Sequence, residues 1–138
     1  LVDVMARVLV KLGCQRGFVV HGLDGMDEVT LTGPTRIGEI RDGNVTLATI
    51  EPEDFGFRRC ALADLQGGDA TENAAIVKDV LRGKPGPKRD VVLLNTAYAL
   101  LASGLVKDVE SGLEKARAAI DDGLAMARLD GLVAMTNA

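Results

Sequence analysis

An apolar helix that stops at glycine and runs straight into a short apolar strand narrows the possible folds of this chain more than any other feature. Leu1, Val4, Met5, Val8, Leu9 and Leu12 recur at helical spacing, and Gly13 supplies the stop. Arg16 to Gly22, RGFVVHG, follows after two residues. Its Phe18, Val19 and Val20 form a continuous apolar run ahead of a glycine, the pattern of a buried strand. A helix that feeds directly into a buried strand is half of a crossover unit. It predicts an α/β sheet, with a further strand expected ahead of the helix.

The rest of the chain fits that class. Val29 to Leu31 reads as a second short strand, and Gly33-Pro34 turns the chain. Thr35 to Ile40 and Asn44 to Ile50 form a hairpin across Asp42-Gly43, a pair suited to positive φ at both central turn positions. The middle is therefore β, mixed or antiparallel. Beyond it the pattern is helical. Asp69-x-x-Glu72 resembles a capping box for a helix carrying Ala74, Ala75, Ile76, Val80 and Leu81 and stopping at Gly83. Asp90 to Ser103 is apolar nearly all round, which suits a helix at the centre of a domain. Asp108 caps a helix with Val109, Leu113, Ala116 and Ile120 on one face. Asp122-Gly123 breaks the chain before a last helix with Leu124, Ala127, Leu129 and Leu132. The fold class is α/β, a short mixed β-sheet with a β-hairpin packed by several α-helices, in one domain of 138 residues.

Several functions are poorly served by this composition. A formal charge of −4 with no basic stripe, and 3% aromatic residues, argue against a nucleic-acid surface. No apolar run reaches membrane-spanning length, and Asp3, Arg7 and Lys11 interrupt the apolar opening, which breaks a signal-peptide core. Cys14 and Cys60 make no C-x-x-C pair, so reduced thiols in a cytoplasmic protein are expected.

Most of the chemistry-bearing residues fall in His21 to Glu28, HGLDGMDE, just after the first strand, where α/β proteins place their sites. Asp24, Asp27 and Glu28 offer hard oxygen donors that suit Mg²⁺, which needs one or two carboxylates and completes its shell with water and phosphate. A solvated acidic turn is the other reading of the same residues. His21 suits a base or ligand less well than a strand-end residue bonded within its loop. Gly67-Gly68-Asp69 looks like an anion site, but Asp69 would occupy the free N–H groups as a cap. Lys84, Lys88 and Arg89 read as a solvated interhelical loop. Arg58-Arg59 is open to either reading. Ser103 and Ser111 lack the His or Asp neighbour of a nucleophile, and neither dinucleotide nor P-loop glycine pattern is present.

Six stretches together resemble one family. FVVHGLDGMDE (Phe18 to Glu28), Gly33-Pro34-Thr35, PEDFGF (Pro52 to Phe57), GGDATENA (Gly67 to Ala74), RDVVLLNTA (Arg89 to Ala97) and AIDDG (Ala119 to Gly123) are similar in order and spacing to anthranilate phosphoribosyltransferases. Each is weak alone, and together they span nearly the whole chain. The resemblance implies that residues 1–138 form the C-terminal portion of the α/β domain, of the nucleoside phosphorylase/phosphoribosyltransferase type. It implies transfer of phosphoribose from phosphoribosyl pyrophosphate to anthranilate, in tryptophan biosynthesis. It also implies that the Asp27-Glu28 pair binds Mg²⁺, and it carries no role onto Asp24 or His21.

Three features of that family have no counterpart in these residues: the glycine-rich GTGGD phosphate loop, the KHGN segment and the arginine that contacts anthranilate. The N-terminal helical domain is missing as well. The chain alone is therefore expected to show no transferase activity. Exposed apolar surface on Val4, Val8 or Phe18 would favour a homo-oligomer. Two alternatives share the fold: a pyrimidine nucleoside phosphorylase-like enzyme and a non-catalytic binding module. The acidic pair favours the transferase, because phosphorolysis needs no Mg²⁺ to hold a pyrophosphate.

Overall fold

The computed structural model describes residues 1–137. Helix α1 (Val2–Lys11) leads into strand β1 (Arg16–Gly22), then β2 (Thr35–Arg41) and β3 (Asn44–Ile50). A one-turn 3₁₀ helix (Pro52–Phe55) follows, then helices α2 (Leu62–Leu65), α3 (Ala70–Leu81), α4 (Pro87–Ala102), α5 (Val109–Asp121) and α6 (Leu124–Thr136). The three strands pair in chain order and are antiparallel throughout, so of the two expected sheet types the mixed one does not form. The connections decide this. Asp42 and Gly43 sit at φ 50° and 79°, the two-residue turn that the Asp-Gly pair predicts, and a loop of twelve residues returns β1 to β2.

Alternation along the strands gives the sheet two faces. Phe18, Val20, Ile37 and Ile50 turn toward the main core, where they meet Leu93, Leu94, Ala97 and Tyr98 of α4. Phe18 meets the Tyr98 ring edge to face at 5.2 Å, so it is not the open apolar surface expected of it. Gly38 lies on the opposite face, under α1. A Cβ there would stand 3.1 Å from Val2 and 3.2 Å from Ala6, so a residue without a side chain lets the helix sit against the sheet.

Helix α1 carries the exposed apolar surface expected at Val4 and Val8. The small pair Val2 and Ala6 is buried, while Val4 and Val8 of the wider apolar stripe are 60% and 43% exposed. Close approach to Gly38 selects the small side of the helix, and the broad stripe faces outward. β1 is an edge strand, so Phe18, Val19 and Val20 are half-buried rather than fully enclosed.

The helical half follows its sequence signals closely. Asp69 accepts from the Glu72 N–H at 2.9 Å, and Glu72 accepts in return from the Asp69 N–H at 3.0 Å. Asp108 caps α5 by accepting from the Ser111 N–H at 2.8 Å. Gly123 has φ 73° at the break before α6. Only the Val80 end of α3 is buried, and Ala74 and Ala75 face solvent. The basic cluster is more than a solvated loop. Lys88 donates to the carbonyl of Asp64 at 2.9 Å, and Arg89, with a side chain 15% exposed, pairs with Asp121 at 2.8 Å. Arg59 pairs with Glu51 and Glu53.

Helix α4 runs through the centre, as its all-round apolar pattern predicts, and packs tightly on α5. A Cβ on Gly112 would lie 2.9 Å from Ala97 Cα and 3.0 Å from its carbonyl oxygen, both backbone atoms that cannot move aside. Gly131 of α6 has open space where its Cβ would be. Both are helical glycines, so alanine brings the same gain in propensity at each. Gly131→Ala is expected to raise unfolding free energy by about 0.5–1 kcal/mol, whereas Gly112→Ala is expected to lower it by about 1–3 kcal/mol through overpacking. Urea denaturation of the two variants checks this, and a stabilised Gly112→Ala would refute the close α4–α5 crossing.

Candidate functional site

The loop between β1 and β2 is built around one carboxylate. Asp24 accepts from the Met26 N–H at 3.0 Å, from the Thr30 hydroxyl at 2.7 Å, and from the Thr32 hydroxyl in a short contact. The backbone closes the same turn. The Gly22 N–H donates to the Met26 carbonyl at 2.8 Å, and the Leu23 N–H to the Pro34 carbonyl at 2.9 Å. Gly22 has no room for a side chain, since a Cβ would fall 2.4 Å from the Asp24 carboxylate and 3.1 Å from Thr30. Burial, the largest single influence on Asp24, pushes its pKa up, but the hydrogen bonds from Thr32, Thr30 and the Met26 N–H together hold it below the ordinary value.

Val29 to Leu31 do not form the strand predicted for them. They are buried all the same, at about 1% exposure each, so their peptide groups need partners other than water. Side chains and a distant backbone supply them. Asn95 of α4 accepts from the Val29 N–H and donates to the Val29 carbonyl, both at 2.9 Å. Thr35 accepts from the Thr30 N–H at 3.1 Å, and the Leu31 carbonyl accepts from the Cys60 N–H at 3.0 Å. These bonds replace a ladder, which is why an apolar run with strand composition settles as a loop.

Asp27 and Glu28 stand between the two anchored stretches. Both are exposed, and neither forms an ion pair or a side-chain hydrogen bond among the described residues. Asp27 also borders a groove of about 530 Å³ whose walls include Met5, Val19, His21, Leu23 and Arg36. His21 is exposed and makes no side-chain hydrogen bond among the described residues, contrary to the loop contact expected of it. Of the three carboxylates in the motif, Asp24 is committed to holding the loop and two are left open. No cluster of three or more His, Cys, Asp or Glu able to hold a metal occurs among the described residues. A divalent ion at Asp27-Glu28 would take its remaining ligands from water and a bound anion, which is the coordination habit of Mg²⁺. The donor set therefore fits that ion.

Sequence alone does not single out Thr30, Thr32 or Asn95. A threonine pair two residues apart in a loop gives a weak cue, and Asn95 lies 66 residues from its partner. The one legible sign at Asn95 is an amide inside an otherwise apolar helix, where it needs a buried polar partner.

An α/β domain with an acidic loop after its first strand has its candidate site where such domains usually carry theirs. Residues 1–126 match the glycosyl transferase family, a/b domain, and the chain belongs to that family. It is 57% identical over 136 residues to the anthranilate phosphoribosyltransferase of Syntrophotalea carbinolica, covering 99% of this chain and 39% of that protein. The enzyme of the same name from Geobacter sulfurreducens is 55% identical over 137 residues, with the same coverage. The chain thus spans about 39% of the length of the curated relatives it matches. The crystal structure of anthranilate phosphoribosyltransferase (TrpD) from Thermus thermophilus superposes with a TM-score of 0.88 at 36% identity, over 99% of this chain and 40% of that one. The Saccharomyces cerevisiae enzyme in complex with PRPP and Mg superposes with a TM-score of 0.75 at 30% identity, over 83% of this chain and 33% of that one. No helix among the described residues is long and apolar enough to cross a membrane.

The Asp24 network gives a pH signature. Its folded pKa is depressed, so its contribution to loop order is complete above the ordinary aspartate value of 3.8 and fades as pH falls through the lower folded value. The Met26 and Thr32 amide chemical shifts are expected to titrate with a midpoint below 3.8 and to lose that step in Asp24→Asn. A midpoint at or above 3.8 would contradict the network.

Proposed function

We propose that this chain is the C-terminal portion of the α/β domain of an anthranilate phosphoribosyltransferase, and that Asp27 and Glu28 are its Mg²⁺ ligands. The observation that carries the metal role is the division of labour in the loop. Asp24 is engaged in internal hydrogen bonds, while the adjacent pair is exposed and without a cationic partner among the described residues. Two carboxylates adjacent in the chain and open to solvent offer a divalent ion oxygen donors that water and a bound anion can complete. The relatives carry the name of the reaction, and the yeast neighbour is a complex with PRPP and Mg.

In the proposed reaction the amino group of anthranilate attacks C1 of the ribose. The C1–oxygen bond to pyrophosphate breaks, and the amine loses its proton. Bound Mg²⁺ would neutralise charge building on the departing pyrophosphate. Asp27 and Glu28 fix where that charge compensation is delivered. Asp24, Thr30 and Thr32 keep the pair in place. The phosphate-cradling glycines and the acceptor contacts expected of the complete enzyme are not among these residues, so this polypeptide by itself supplies only part of the site.

In the full-length parent, Asp27→Asn with Glu28→Gln is expected to lower kcat/KM for phosphoribosyl pyrophosphate by about 100-fold or more at limiting Mg²⁺. Unchanged turnover would remove the metal role. The 138-residue chain, purified free of host enzyme, is expected to form no phosphoribosyl anthranilate, and product from it would overturn the partial-site reading. We also propose that the chain alone self-associates through the outer stripe of α1, where Leu1, Val4 and Leu12 are 96%, 60% and 78% exposed. Light scattering is expected to give a mass above one chain, falling to that of one chain in Val4→Glu with Leu12→Glu.

A further inference from the structure

The acidic pair is bracketed by two anchors of different origin. On its N-terminal side Met26 is tied at both peptide groups, its N–H to Asp24 and its carbonyl to the Gly22 N–H. On its C-terminal side Val29 is tied at both peptide groups to one side chain, Asn95. Only Asp27 and Glu28 lie between. The Val29 N–H belongs to the same rigid peptide plane as the Glu28 carbonyl, so the Asn95 contact fixes the plane attached to Glu28 itself.

Asn95 can do this in one orientation only. Its carbonyl oxygen accepts from the Val29 N–H, and its two N–H groups go to the carbonyls of Val29 and Val91, each at 2.9 Å. Turning the amide over would set an N–H against an N–H and its oxygen against two carbonyls. The helix beneath is equally fixed. Leu93, Leu94 and Ala97 are buried within 1% exposure, and Gly112 of α5 presses on Ala97. The anchor therefore reaches the loop from a helix seated in the main core.

We propose that Asn95 is a positioning residue for the Asp27-Glu28 carboxylates, acting from α4 by locking the peptide planes that follow Glu28. The proposal rests on the reading of that pair as a divalent-cation site and adds the residue that sets its geometry. Asn95 touches neither metal nor substrate. Groups that orient metal ligands without contacting the metal commonly change affinity by about 10–100-fold when removed.

The test uses the 138-residue chain with Mn²⁺ as the probe, followed by electron paramagnetic resonance, together with amide hydrogen exchange. Asn95→Leu keeps the side-chain size and removes all three hydrogen bonds. It is expected to weaken Mn²⁺ binding by about tenfold and to speed exchange at Asp27 to Thr30, with the α5 amides unchanged. Ile40→Ala serves as the control, because Ile40 is fully buried at the hairpin end of β2, away from the loop and from α4. It is expected to lower the melting temperature and leave Mn²⁺ affinity as it is. Equal losses of affinity in both variants would reduce Asn95 to a structural part of the core and overturn the proposal. Binding that is lost in Asp27→Asn with Glu28→Gln but kept in Asn95→Leu would overturn the proposal while leaving the metal site standing. Mn²⁺ binding absent both alone and with inorganic pyrophosphate added to complete the shell, or binding indifferent to the double variant, would remove the metal reading and the proposal with it.

Discussion

Three consecutive residues, Val29, Thr30 and Leu31, are almost wholly buried without belonging to a helix or a sheet, and much of this structure answers that one demand. A buried peptide group without a partner costs on the order of 1–3 kcal/mol. The domain meets the demand from several directions: Asn95 from α4, Thr35 from the start of β2, and the Cys60 N–H from the segment after the 3₁₀ helix. Each supplier sits on a different element. The loop is consequently the point where sheet, central helix and connecting segment are tied together.

This arrangement makes the position of the acidic pair depend on packing far from it. Helix α4 can present Asn95 at the right height only if its inner face is seated in the core and α5 lies close behind it. The seat is made by Leu93, Leu94, Ala97 and Leu101, and the close approach by the missing side chain of Gly112. Close-packed interiors pass small displacements along rather than absorbing them. A side chain added at Gly112 would therefore be felt at the loop as well as in global stability. On the other face of the sheet Gly38 does a similar job for α1, and there too a glycine sets which side of the helix is buried.

Much of this is legible in the residues, and the gaps have physical causes. The Asp-Gly turn, the Asp69–Glu72 box, the Asp108 cap and the Gly123 break are local, set by residues within four positions of each other, and each appears as predicted. The central place of α4 follows from its all-round apolar character. Exposure of Val4 and Val8 on α1 is as expected, but the choice of Val2 and Ala6 as the seated side is not legible, because it depends on the contact with Gly38, far along the chain. Val29 to Leu31 carry strand composition, yet side chains rather than a ladder take up their peptide groups. At the site, the acidic motif is visible as composition. Which carboxylate is consumed internally is not, since it depends on two threonines folding back over Asp24.

That last point bears on why the motif needs three acids. Without Asp24, the turn would lose acceptors for one N–H and two hydroxyls, and the span ahead of Val29 would keep only the Gly22–Met26 and Leu23–Pro34 backbone bonds at its N-terminal end. Asp27 or Glu28 could then fold back to take those donors, since a carboxylate gains from any nearby N–H or O–H. Both Asp24 oxygens are engaged within the loop, Oδ1 by the Met26 N–H and Oδ2 by the Thr30 and Thr32 hydroxyls. Its neighbours have no such partners, and their charge remains uncompensated. One acid satisfied internally is thus the condition for two acids left facing outward, and the fixed spacing of Asp24, Asp27 and Glu28 on a glycine-turned loop is what allows the three to take different roles.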